Sequence, residues 1–176
     1  MHSWPSAKEW TKQPELTNQQ MAFKLHKESR DWFKKIFGKS PFGTMFDLYQ
    51  ACLVLGLAAE RCEPEESSMT EFMDEFIQRY RPYQTTIIGS MISVVLSRKG
   101  ISSADREAVS KEISRLVSGD SARGDLTIEG FRELNGYALG GFNLLRESFD
   151  SPPQHPASFL AKYRQILEET RLGLQI

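Results

Sequence analysis

The sequence predicts an all-α fold: a compact single-domain bundle of six or seven helices around one central hydrophobic helix. Three observations carry that expectation. Apolar residues recur at three- and four-residue steps along most of the chain. Helix-start signals stand ahead of several of these runs, and no sustained strand-like alternation is evident. With 176 residues and 40% hydrophobic content the chain is long enough to bury one self-sufficient core.

Residues 1–16 are polar, contain Pro5 and Pro14, and have Trp4 and Trp10 as their only large apolar groups. They read as an extended N-terminal arm, leaving 17–176 as the helical domain. Thr17 with Gln20 forms a capping-box pattern. Beyond it, Met21, Leu25, Trp32, Phe33, Ile36 and Phe37 keep near-helical spacing up to Gly38, so a first helix is expected over about 18–37. After the turn Ser40 to Gly43, the run from Met45 to Leu57 is apolar on nearly every side, as a buried central helix would be. Within it Thr44, Asp47 and Gln50 share a narrow stripe, read as water-facing, with a buried functional carboxylate at Asp47 as the alternative.

Ser68 and Glu71 form a second capping-box pattern ahead of Met69, Phe72, Met73, Phe76, Ile77 and Tyr80, which predicts a helix ending at Arg81-Pro82. The next helix, about 83–98, has Ile88, Met91, Ile92 and Val95 on one side. Gly89, Ser93 and Ser97 make a small-residue stripe on another, suited to close approach of a neighbouring helix. Gly100 is a stop, and Ser102 with Asp105 starts a surface helix with a narrow apolar face of Val109, Ile113, Leu116 and Val117. Ile128, Phe131, Leu134, Ala138, Phe142, Leu145 and Phe149 define a core helix in which Gly136, Gly140 and Gly141 mark close backbone packing or a bend. Asp150 to Pro153 is a stiff connector to a last amphipathic helix carrying Phe159, Leu160, Tyr163, Ile166 and Leu167.

Composition excludes several function classes. Lys+Arg 22 against Asp+Glu 23 gives a net charge of -1, so no whole-chain field draws the protein to nucleic acid or an anionic membrane. Cys52 and Cys62 form no Cys-x-x-Cys pair, and a zinc module or disulfide framework is not expected. No stretch has the apolar length of a signal peptide or membrane span, which favours a cytoplasmic, reducing setting without membrane contact. His2, His26 and His155 are scattered, and neither a Gly-x-Ser-x-Gly elbow, a phosphate loop nor a His-Glu-x-x-His motif occurs. Neither catalysis, metal, cofactor nor small-molecule ligand is therefore expected. The stretch Gly119 to Phe131 has the look of a calcium loop, but its alignment puts Gly119 and Gly130 at ligand positions and Arg123 at a third. Arg123-Gly124-Asp125 reads as a turn.

The clearest positive signal is basic: Lys24, Lys27, Arg30, Lys34 and Lys35, continued by Lys39, at steps that place several on one face of the expected first helix. Such a face could contact phosphates. Opposite in sign, 60–75 carries Glu60, Glu63, Glu65, Glu66, Glu71, Asp74 and Glu75 against Arg61 alone. Trp4, Trp10, Glu65 and Glu66 are the candidate contacts for a protein partner.

Three segments, Phe42-Gly-Thr-Met-Phe-Asp-Leu-Tyr-Gln-Ala-Cys-Leu-Val-Leu-Gly-Leu57, Asp105-Arg-Glu-Ala-Val-Ser-Lys-Glu-Ile113 and Leu134-Asn-Gly-Tyr-Ala-Leu-Gly-Gly-Phe142, together resemble small helical accessory proteins of bacterial anti-phage defence loci. The resemblance spans most of 40–170 and rests on packing patterns. It implies a non-enzymatic accessory subunit working with a larger ATPase, nuclease or SMC-like partner. The alternative expectation is a DNA- or RNA-binding module using the basic residues.

Overall fold

A computed structural model describes residues 21–119 and 126–173. The expected arm 1–16, with Trp4 and Trp10, lies outside the described residues, as does the Arg123-Gly124-Asp125 turn. The chain is mostly helical, with a small two-stranded sheet. In order come β1 (Phe23–His26), α1 (Ser29–Trp32), α2 (Met45–Ala58), β2 (Met69–Met73), a 3-10 turn (Arg81–Tyr83), α3 (Gln84–Arg98), α4 (Arg106–Leu116), α5 (Ile128–Ser148) and α6 (Pro156–Arg171).

The sheet corrects the all-α expectation in two places. The first expected helix is replaced by strand β1 and the single helical turn α1, and the helix expected after Ser68 is strand β2. The strands pair antiparallel, with Leu25 opposite Thr70 and Lys24 opposite Glu71, while an irregularity between Phe23 and Lys24 leaves Phe72 as the extra residue. Burial explains the outcome. Phe23 and Leu25 alternate inward with the half-exposed Lys24 and His26. The Phe23 ring meets Phe46, Tyr49, Phe76 and Phe131 edge-on at centroid distances of 5.1, 5.3, 4.9 and 5.1 Å. A helix through this segment would spread those inward groups differently, and the cluster outweighs the local capping signals.

The expected central helix is present as α2, with Phe46, Leu48, Tyr49, Cys52, Leu53 and Leu55 buried. Asp47 is not on a watery stripe. It is 5% exposed and closes the capping box: the Thr44 backbone N–H donates to its carboxylate at 2.8 Å, and the Thr44 hydroxyl accepts from the Asp47 N–H. The Tyr80 hydroxyl adds a 2.6 Å bond and Arg79 a 3.3 Å ion pair, joining the start of α2 to the segment after β2. α3 buries Ile87, Ile88, Met91 and Val95. Its Gly89, Ser93 and Ser97 stripe, expected to receive another helix, faces outward, and a side chain at Gly89 would meet nothing within 4 Å.

The close helix approach lies instead between α2 and α5. α5 runs unbroken through its glycines. A Cβ on Gly56 would overlap the carbonyl of Tyr137, and one on Gly141 would overlap the carbonyl of Cys52. Gly136 and Gly140 admit the chain that leaves α2: a Cβ at Gly136 would stand 2.7 Å from both Cys62 Sγ and Glu63 O. α6 covers α2 from outside, burying Phe159 and Ile166 and donating a 2.7 Å hydrogen bond from Tyr163 to the Ala51 carbonyl.

Replacing Gly141 by Ala forces backbone apart and is expected to cost about 3 kcal/mol or more. Gly89→Ala, in open space on α3, is expected to gain about 0.5–1 kcal/mol. Urea unfolding of the two variants checks both signs.

Candidate functional site

The basic residues occupy a strand, a turn of helix and a series of turns rather than one helix face. Trp32, Phe33 and Ile36 point into the core, with Phe33 and Ile36 fully buried and Trp32 packed on Phe142 and Phe149. Anchored from beneath, the segment turns Lys27, Arg30, Lys34, Lys35 and Lys39 outward, and none makes an ion pair with another described residue. Its two acids leave this charge uncancelled: Glu28 pairs with Arg146 at 2.8 Å, and Asp31 alone is left against five cations. Phe37 stands between Lys35 and Lys39 with 43% exposure.

Lys24 does not belong to this surface. Its ammonium pairs with Glu65 at 3.3 Å, and its backbone N–H donates to Asn135. Asn135, fully buried on α5, is the residue that sequence reasoning missed. Its Oδ1 accepts from the Lys24 N–H at 3.0 Å and from the Tyr49 hydroxyl at 3.2 Å. Its Nδ2 donates to the Ala22 carbonyl at 2.9 Å and to Glu65 at 3.1 Å. One amide thus joins α2, α5, β1 and the acidic loop, and sets where the basic segment emerges. Its only sequence signal is a polar residue beside an apolar helix face.

The acidic segment is mostly engaged internally. Glu63 pairs with Arg61 at 2.7 Å and accepts from Asn143, Glu65 is held by Lys24 and Asn135, Glu66 accepts from Ser68, and Glu75 pairs with Arg81 at 3.1 Å. Arg61 also forks onto Glu147 at 2.6 and 2.8 Å. Of the two acids expected to meet a partner, Glu65 is tied to Lys24 and Asn135, while Glu66 is exposed and bonds its near neighbour Ser68.

Two hollows flank these groups. A cleft of about 370 Å³ is lined by Cys62, Glu63, Pro64, Glu65, Arg98, Glu129, Arg132 and Glu133. Its four carboxylates are all paired: Arg98 grips Glu133 at 2.9 Å, Arg132 pairs with Glu129 at 2.5 Å, and Glu63 and Glu65 are held by Arg61 and Lys24. Burial pushes the Cys62 thiol up, Arg98 only partly opposing it, so the group is a poor nucleophile at neutral pH. The second hollow, about 120 Å³, sits at the head of the basic segment between β1, β2 and the start of α2. Leu25, Met45 and Phe72 form its apolar side; His26, Lys27, Ser29, Arg30 and Thr70 form the other. The His26 ring stacks on Phe142, and its Nδ1 accepts from the Glu28 N–H, which places the hydrogen of the neutral ring on Nε2.

Among the described residues no group of three or more His, Cys, Asp or Glu could hold a metal ion, and no helix is long and apolar enough to cross a membrane. No family model matches the chain, and neither curated proteins nor solved structures give a match.

Asn135→Ala strands the Lys24 N–H and the Ala22 carbonyl and is expected to lower stability by about 2–4 kcal/mol in urea unfolding. Amide exchange at Lys24 should accelerate more than at α6. Asp47 titrates below its ordinary value of 3.8, because the bonds from Tyr80 and Thr44 and the charge of Arg79 outweigh the opposing desolvation. A depressed folded pKa stabilises above the unfolded value and loses that contribution as pH falls through the folded one. The stability gap between the natural chain and Asp47→Asn should therefore be constant near neutrality and shrink below about pH 4.

Proposed function

We propose that the chain is a non-enzymatic accessory subunit that docks a larger, anionic partner through the segment 27–39. The observation that carries this reading is the imbalance of unspent charge. Lys27, Arg30, Lys34, Lys35 and Lys39 lack ion pairs with described residues and have only Asp31 unpaired among them, whereas the acidic segment commits Glu63, Glu65 and Glu75 to internal pairs and keeps Glu60, Glu66, Glu71 and Asp74 without one among the described residues. A chain of net charge -1 thus offers one locally positive, outward surface. The resemblance to accessory proteins of anti-phage loci agrees with a subunit whose partner, an ATPase or nuclease, does the chemistry.

A second reading, direct contact with DNA or RNA, is favoured by Phe37. An exposed aromatic ring among cations supplies the stacking platform and the phosphate contacts that single-stranded nucleic acid uses. Little base discrimination is expected from it.

The test is charge reversal of Lys34 and Lys35 together to Glu, both exposed and remote from the buried bonds of Asn135. A fluorescent single-stranded oligonucleotide reports the nucleic-acid reading, with affinity expected to fall about tenfold or more in the variant and to weaken linearly with log salt concentration. Affinity purification from source cells reports the protein reading, the variant losing the partner that the natural chain retains. A partner or oligonucleotide held equally by both chains overturns this face as the docking surface.

A further inference from the structure

The two edges of the small sheet are finished differently. β1 is covered by α5: the Lys24 N–H donates to the Asn135 amide at 3.0 Å, and the Ala22 carbonyl accepts from it at 2.9 Å. β2 has no such cover. The Lys27 N–H reaches the Ser68 carbonyl at 2.8 Å, so in this antiparallel ladder the next pair to bond across is Leu25 with Thr70. Met69 and Glu71, alternating with those residues, turn their backbone groups away from β1. The Met69 N–H closes a turn onto the Glu66 carbonyl at 3.1 Å. The Met69 carbonyl and both backbone groups of Glu71 have no partner among the described residues, and Thr70 and Glu71 are exposed. An open edge of this kind is a template for a further strand.

Side chains on the two faces of β2 say what that strand would be. Thr70 and Phe72 line the hollow of about 120 Å³, whose apolar side is Leu25, Met45 and Phe72. On the other face Glu71 is exposed and unpaired, and exposed Asp74 follows the strand, also without an ion pair among the described residues. Nearby Lys24 and Arg81 are committed to Glu65 and Glu75, and the free cations Lys27 and Arg30 stand toward the Met69 end. A second copy adding its own β2 would bring Glu66, Glu71 and Asp74 of both chains along one ladder, and like charges facing across strands destabilise. A strand with alternating basic and apolar residues meets the opposite case, its basic side chains beside Glu71 and its apolar ones over the hollow. We propose that the free edge of β2 receives, antiparallel, an extended peptide of a partner protein in which basic and apolar residues alternate. This surface is separate from the 27–39 segment and does not depend on its docking role.

The experiment titrates the full chain with a blocked peptide of about seven residues alternating lysine and valine, following amide shifts and amide exchange. Saturation below about 1 mM is expected, with shifts at residues 69–73 and slowed exchange at the Glu71 amide. N-methylation of the peptide's lysine amides should weaken binding about tenfold or more, and of its valine amides much less, because only the residue opposite Glu71 exchanges hydrogen bonds with it. That comparison leaves the protein untouched. Glu71→Lys, an exposed change, should weaken the lysine peptide about threefold or more and strengthen its glutamate–valine twin. Reversal of Lys34 and Lys35 should leave peptide affinity unchanged, so loss of the basic docking face would not carry this edge with it. Lack of saturation by about 1 mM, a glutamate–valine twin bound as tightly by the natural chain, or equal loss from the two methylations overturns the proposal. So does a Glu71 amide that exchanges slowly in the chain alone: protection that survives dilution makes residues 1–20 the occupant, and protection lost on dilution makes it a second copy.

Discussion

The backbone contact between α2 and α5 is the constraint on which the remaining architecture rests. Gly56 lies against the carbonyl of Tyr137 and Gly141 against that of Cys52, so the two helices with the most buried residues meet at these points backbone to backbone. That approach brings the chain leaving α2 across Gly140 and Gly136, and places Cys62 and Glu63 on α5. One residue before Gly136, the Asn135 amide then reaches Tyr49, Ala22, Lys24 and Glu65 together. A wider helix pair would carry Asn135 out of range of at least one of them. The position of β1, and of the cations that follow it, is therefore inherited from a glycine contact whose α5 members lie more than a hundred residues away.

The same dependence explains which parts of the fold were legible in the sequence. The helices from Met45, Gln84, Arg106, Ile128 and Pro156 declare themselves through apolar periodicity and, at Arg106, through the Asp105 cap, whereas Thr44 and Asp47, expected on a water-facing stripe, form a cap that only the structure shows. Those signals are local. The two strands are not: Leu25 finds Thr70, and the Lys27 N–H finds the Ser68 carbonyl at 2.8 Å, across more than forty residues. Phe23 to His26 does alternate apolar and polar, but for only four residues, and the wider spacing of Met21, Leu25, Trp32 and Phe33 mimics a helix. The capping-box patterns at Thr17 and Ser68 reinforced the wrong period. Each pattern is a preference worth about 1 kcal/mol, less than the burial of the Phe23 ring among four aromatic neighbours.

The candidate site divides along the same line. That Lys27, Arg30, Lys34, Lys35 and Lys39 would face outward was readable from their type, because a lysine or arginine without a partner stays in water whatever its secondary structure. Which of the six cations belong together was not. Lys24 sits two residues from His26 yet is committed to Glu65, a pairing that only the tertiary fold creates. Asn135 and the hollow were hidden for the same reason: a buried amide and a space between strands have no sequence period.

Charge accounting across the molecule supports the proposed docking role. Beside α5, Arg98, Arg115 and Arg132 are each matched to Glu112, Glu129 or Glu133, an arrangement that ties α3, α4 and α5 to one another. Such pairs stabilise modestly and attract nothing. The 27–39 segment is built oppositely. Its apolar residues Trp32, Phe33 and Ile36 supply the anchoring that ion pairs supply elsewhere, so its cations are not needed to hold the fold. Charges freed from structural work and held on an anchored backbone approach an anion with little ordering cost. This separation of labour between Lys27 and Lys39, with Trp32, Phe33 and Ile36 inward and the cations outward, is what the proposed docking role rests on.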